Sequence, residues 1–177
     1  MNDPRLDRLR GLIRDVPDFP KPGILFKDIT PLLADAAAFA DAIELLAERV
    51  RPLEPDLIAG PEARGFLFGA PLALKLGVGF APIRKSGKLP WRTIEESYQL
   101  EYGEDTVAAH EDAFAGRSRV LIADDLLATG GTVAASSRLV RKGGGTVVGA
   151  AFLVELDFLA GRERLGDLAV TSLLNYA

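Results

Sequence analysis

A chain of 177 residues, 48% hydrophobic and 26% charged, has the make-up of one globular domain with a sizeable core. Its net charge of −4, from 21 basic and 25 acidic residues, argues against general binding to nucleic acid or to anionic membrane surfaces. It has no cysteine, which excludes disulfides and thiolate metal sites and makes a reducing cytoplasm sufficient.

The opening residues MNDPRLDRLR are polar and carry no signal-like apolar region. The longest apolar stretch, Gly65 to Leu74, falls well short of the ~20 residues that span a bilayer. A cytoplasmic protein without membrane contact is expected. Residues 3 to 14 set Leu6, Leu9, Leu12 and Ile13 among charges, predicting a short amphipathic helix. The segment VPDFPKPGILFKDIT follows, too rich in proline for a long regular element, and is expected to cross the body as an ordered loop. Asp35 then caps a predicted helix to about Arg51, with Phe39, Ile43, Leu46 and Val50 on one stripe. Strand-like runs recur at 56–60, 79–84, 120–123, 146–154 and 170–174, and a helix from Phe66 to Leu76, closed by Gly77, lies between the first two. Strands alternating with helices predict an α/β fold with a mostly parallel sheet flanked by helices. No repeat, low-complexity tract or linker divides the chain, so residues 1–177 are read as a single domain.

Residues 83–103, IRKSGKLPWRTIEESYQLEYG, break the rhythm. Small and turn-forming residues at SGKLP predict a mobile lid over about 85–97, and the alternation of Tyr98, Leu100 and Tyr102 predicts a strand behind it. Arg84 to Arg92 carries four basic residues, of which Lys85 and Arg92 read as solvated.

The stretch RVLIADDLLATGGT combines a doubly apolar strand, two adjacent acids and a glycine-threonine loop. Thr132 is expected to cap the next helix, which runs through Leu139 and Val140 and stops near Gly143. Backbone N–H groups at Ala128, Thr129, Gly130, Gly131 and Thr132, freed by glycine to converge, suit a phosphate. Carboxylates beside that loop repel a phosphate unless they hold another part of the same ligand. A sugar phosphate satisfies both demands, with Asp124 and Asp125 accepting from the ribose hydroxyls. Neither a Walker A loop nor G-x-G-x-x-G occurs, and His110, the only histidine, sits in a nondescript setting and reads as structural.

VLIADDLLATGGT resembles the phosphoribosyl-pyrophosphate motif of type I phosphoribosyltransferases. DFPKPGILFKDITPLL, IAGPEARGFLFGAPLA, PIRKSGKLP, SYQLEYG and FLVEL, in this order, resemble the adenine-using branch of that family. The resemblance implies the type I phosphoribosyltransferase fold, with a small N-terminal base-binding hood in residues 1–34 and the flexible lid. It also implies a reaction of adenine with phosphoribosyl pyrophosphate, giving AMP and pyrophosphate. Pyrophosphate would be held by Glu62, Ala63, Arg64, Arg84 and Lys88, with an unusual cis peptide between Glu62 and Ala63. Adenine would be held by main-chain groups of Leu25 and Lys27 and by stacking on Phe26. Glu101, with Tyr102 beside it, would be the catalytic pair. Mg²⁺ is expected on substrate oxygens and water rather than on protein ligands, and the chain is expected to form a homodimer. Two other readings stand beside this one. The same fold accepts other bases, and some relatives are nucleotide-sensing regulators that kept the pocket, although those need a basic surface that this acidic chain does not show.

Overall fold

A computed structural model describes residues 3–99, 104–115 and 119–177. Seven strands form one sheet, β5 (Thr93–Gln99), β6 (Glu104–His110), β4 (Gly79–Lys85), β3 (Leu57–Pro61), β7 (Arg119–Leu127), β8 (Thr146–Leu156) and β9 (Val170–Tyr176), in that spatial order. From β4 to β9 all pairs are parallel, and β6 and β5 add an antiparallel edge. The mostly parallel α/β sheet flanked by helices is therefore as expected. No described helix is long and apolar enough to cross a membrane.

The doubly apolar run explains the layering. Val120, Leu121, Ile122 and Ala123 are all 0% exposed, as residues of a strand covered on both faces must be. Leu121 and Ala123 pack with Leu46 of α3 (Ala36–Val50) and Phe68 of α4 (Arg64–Leu76). Val120 packs with Leu139 and Val140 of α5 (Gly131–Lys142), and Ile122 with Val133. Asp35 caps α3 by accepting from the N–H groups of Ala37 and Ala38 at 3.0 and 2.9 Å. Gly77, at φ +74°, closes α4.

Several expectations are corrected. The first helix, α1 (Pro4–Gly11), stops short of residue 14 because Gly11 is a weak helix former and Leu12 turns its N–H back to cap it. The proline-rich segment is not all loop: β1 (Arg14–Pro17) and β2 (Leu25–Asp28) form a separate antiparallel pair, followed by the short α2 (Thr30–Ala34). Two ion pairs stitch that ribbon at directly opposed positions, Arg14 to Asp28 at 2.6 Å and Lys27 to Asp15 at 2.6 Å. Strand β7 does not end at Ala123 but continues through both acids to Leu127. The strand behind the lid begins at Thr93 rather than Tyr98, so only 86–92 of the expected lid is irregular. Ile94, Glu96 and Tyr98 turn inward there, and Glu96 is accepted at an inward position because Arg138 of α5 bonds it at 2.6 Å.

Candidate active site

Parallel strands bring the loops after β3, β4, β7 and β8 to one edge of the sheet. A cavity of about 190 Å³ opens there, lined by Arg64 and by the run from Asp124 to Val133. The structure thus gathers Asp124, Asp125, Ala128, Thr129, Gly130, Gly131 and Thr132, all expected at the ribose and phosphate, around one space.

The acids are held tightly. Asp125 is 3% exposed and its Oδ2 lies 3.1 Å from Nε of Arg64. Asp124 Oδ1 accepts the Asp125 N–H at 2.9 Å. Burial pushes the Asp124 carboxyl well above the usual aspartate range, and the charge of Asp125 pushes it the same way. Burial also raises Asp125, against the pull of Arg64. Close approach of α4 requires Gly65, where an added Cβ would lie 3.0 Å from the Ala123 carbonyl oxygen and 3.1 Å from Asp124 Oδ1.

Thr132 does not cap α5. The cap is Gly130, at φ +77°, and among the described residues no side-chain cap bond is made at this helix start. Those donors stay available to an anion in the cavity. The Thr132 hydroxyl lies 3.2 Å from the Tyr98 hydroxyl. Gly130 is required by its positive φ and by packing, since an added Cβ would meet the Gly161 carbonyl oxygen at 2.5 Å.

The Glu62–Ala63 peptide is cis, as expected, and so is Phe19–Pro20. Arg84 donates from Nε to Glu62 Oε2 at 2.5 Å and from Nη1 to the Lys88 carbonyl at 3.0 Å, which brings three of the expected pyrophosphate residues together. Burial alone would raise the Glu62 carboxyl, but bonds from the Arg84 guanidinium and the Lys85 N–H outweigh it and hold the group below its ordinary value. Arg64, the third cation-bearing position, reaches from Asp125 to the Phe26 ring, 5.7 Å from its centroid. The β1–β2 ribbon therefore stands over the cavity. Leu25 and Lys27 are two apart on β2, so their main-chain groups face the same edge. The Lys27 side chain is spent on Asp15 and on the Tyr176 ring at 4.2 Å, leaving only its main chain for a ligand.

Glu101 and Tyr102 lie outside the described residues. Lys85 pairs with Asp105 at 3.4 Å and Arg92 with Glu111 at 3.7 Å. His110 stands opposite Thr93, at the other end of the hairpin from Gln99 and Glu104. Sequence reasoning missed the Arg64–Asp125 pair and the contact of the loop with Gly161, because both partners are distant in the chain.

The buried acids make a thermal prediction. A carboxyl whose folded value is raised keeps its proton where the unfolded chain has lost it, so stability falls as pH rises above the ordinary aspartate value of 3.8. Asp124→Asn removes that penalty. Its melting midpoint near neutral pH should exceed that of the wild type by about 2–4 °C per kcal/mol relieved, and the gap should close on acidification. Calorimetry that found the variant less stable at neutral pH would contradict this account of the pair.

A family model described as a phosphoribosyl transferase domain matches residues 29–172. The adenine phosphoribosyltransferase of Desulfitobacterium hafniense is 57% identical over 164 residues, 93% of this chain and 95% of that protein. The crystal structure of adenine phosphoribosyltransferase from Thermoanaerobacter pseudethanolicus superimposes with a TM-score of 0.94 at 55% identity, covering 97% of this chain and 99% of that one. The Saccharomyces cerevisiae enzyme, crystallised with an imino-altritol bisphosphate and adenine, gives a TM-score of 0.90 at 40% identity over 96% of this chain and 98% of its own.

Proposed function

This chain belongs to the phosphoribosyltransferase family, and from that premise we infer that it transfers the 5-phosphoribosyl group of phosphoribosyl pyrophosphate to adenine, releasing AMP and pyrophosphate in purine salvage. The single observation that carries the reading is the acidic pair of β7 set against an uncapped, glycine-led helix start in one cavity. The loop at 128–132 takes the 5′-phosphate and the acids take the ribose hydroxyls.

In the reaction the N9–C1′ bond forms as the C1′–O bond to pyrophosphate breaks, and N9 gives up its proton. Positive charge develops at C1′, as in other glycosyl transfers. Glu101, between β5 and β6 in sequence, steadies that charge and handles the N9 proton, with Tyr102 beside it. Backbone donors around the Glu62–Ala63 turn, with Arg64, Arg84 and Lys88, meet the departing pyrophosphate. Arg64 does so by exchanging Asp125 for the substrate. Main-chain groups of Leu25 and Lys27 read the adenine edge while Phe26 stacks on its face. The hood of residues 1–34 supplies these base contacts, and the irregular segment 86–92 closes as a lid over the sugar diphosphate. Mg²⁺ on the diphosphate would offset its charge. A chain with no cysteine needs no oxidising compartment to fold, and the proposed location is the cytoplasm.

Three measurements test the reading. A site whose polar groups fit adenine should reject hypoxanthine by about 10⁴ in kcat/KM, and comparable use of the two bases in an AMP-formation assay would sink the adenine assignment. Glu101→Gln should lower kcat by about 10²–10⁴ while leaving AMP binding near the wild-type level; an unchanged kcat would remove Glu101 from the chemistry. The proposed homodimer buries the stripe Leu67, Pro71 and Leu74 on α4, where the two leucines are 41% and 84% exposed. Leu74→Glu should then sediment as a monomer where the wild type sediments as a dimer, and an unchanged sedimentation coefficient would move the interface elsewhere.

A further inference from the structure

The phosphate loop has a second wall that the reaction above does not use. Glu155, near the end of β8, is paired in register with Leu127, the last residue of β7 before the loop. Its carboxylate is 3% exposed and accepts four hydrogen bonds. Arg162 supplies two of them as a fork, Nε to Oε1 at 2.6 Å and Nη2 to Oε2 at 2.7 Å. Ser172 and Asn175 of β9 supply the others, at 2.5 and 3.3 Å. Arg162 Nη1 also donates to the Val170 carbonyl at 3.1 Å, so the guanidinium is fixed from two sides.

The residue before Arg162 is Gly161, and it touches the loop. An added Cβ on Gly161 would lie 2.1 Å from the Ala128 carbonyl oxygen and 3.0 Å from the Leu127 side chain. The reciprocal contact is that of Gly130, whose added Cβ would meet the Gly161 carbonyl oxygen at 2.5 Å. Leu127, Glu155, Arg162, Gly161 and Ala128 thus close a circuit: strand to strand, carboxylate to guanidinium, backbone to backbone.

We propose that Glu155 and Arg162 are positioning residues for 5′-phosphate binding, a fork that presses the Gly161 backbone against the Ala128–Gly130 loop and so fixes the direction of its N–H groups. Burial favours the neutral form of Glu155, yet the bonds from Arg162 and Ser172 more than reverse this and lower its pKa, so the fork is charged at neutral pH. The loop has no side-chain cap of its own to hold it. Gly130 holds a left-handed conformation at φ +77°, and the Gly161 backbone, with the Cβ of Arg164, fills the space beside it.

The inference rests on the phosphate reading of the loop, so the test compares AMP with adenosine, which lacks the phosphate. Two variants are used. Arg162→Lys keeps a charge opposite Glu155 but loses the planar fork, and Gly161→Ala leaves every charge in place but drives a methyl group into the Ala128 carbonyl. Each should lose about 10- to 100-fold in AMP affinity, with adenosine affinity close to the wild type. Both should also lower the melting temperature, one by weakening the bonds on a buried carboxylate and the other by its clash with backbone, so affinities are compared well below the onset of melting. The double variant should lose little more than the worse single one, since both act through one contact. A wild type that bound AMP no better than adenosine would overturn the phosphate reading and this inference with it. Variants that kept the wild-type preference for AMP, or lost both ligands equally, would overturn the positioning role alone.

Discussion

Two adjacent carboxylates in the interior of a strand are the constraint around which the rest of the site is arranged. Each loses hydration on burial, and Asp124 is disfavoured further by the charge of Asp125. A single cation, Arg64, answers both, and it lies 3.1 Å from Asp125. Burial raises both carboxyls, the charge of Asp125 raises Asp124 further, and the pull of Arg64 does not reverse either shift. Such a pair is a poor structural element and a good acceptor for hydroxyl donors. The position of α4 follows from it. The helix must start at Arg64 to bring the guanidinium to β7, and residue 65 must be glycine for the backbones to come that close.

Arg64 also reaches the Phe26 ring, so the β1–β2 ribbon and the acids share one side chain. A substrate that draws Arg64 toward its own phosphates would release Asp125 to accept from the ribose and would change what stands beside the base ring.

Most of the scaffold was legible in the sequence because it rests on local rules. The doubly apolar run Val120–Ala123 could only be a covered strand, Asp35 could only be a cap, and Gly77 a helix end. What escaped was held by charge across distance. Strands β1 and β2 carry Arg14, Asp15, Lys27 and Asp28 where an alternation rule looks for apolar residues, and the pairs that justify them become visible only once the strands are opposed. Strand β5 was read too short for the same reason, since Glu96 faces inward to Arg138. In the site, the loop and its acids could be named from RVLIADDLLATGGT, but Gly161 and Arg162 sit in GRERL, a run that looks like solvated surface. The FLVEL segment carried Glu155 as part of a family pattern without showing what the glutamate holds.

The helix starts divide along the same line. Asp3 caps α1 and Asp35 caps α3, each side chain bonding first-turn N–H groups. The two helices whose starts line the cavity have no such cap: α4 begins after Ala63 and α5 after Gly130. An Asp or Ser at either position would satisfy those donors and add stability, but it would also occupy the place of a ligand oxygen and, as Asp, would add a negative charge facing a phosphate. Leaving both starts open sacrifices local stability at two points of one cleft, one after β3 and one after β7. Under the proposed placement, a substrate with phosphate at both ends of a ribose would recover it at both, with the sugar between them on the acids.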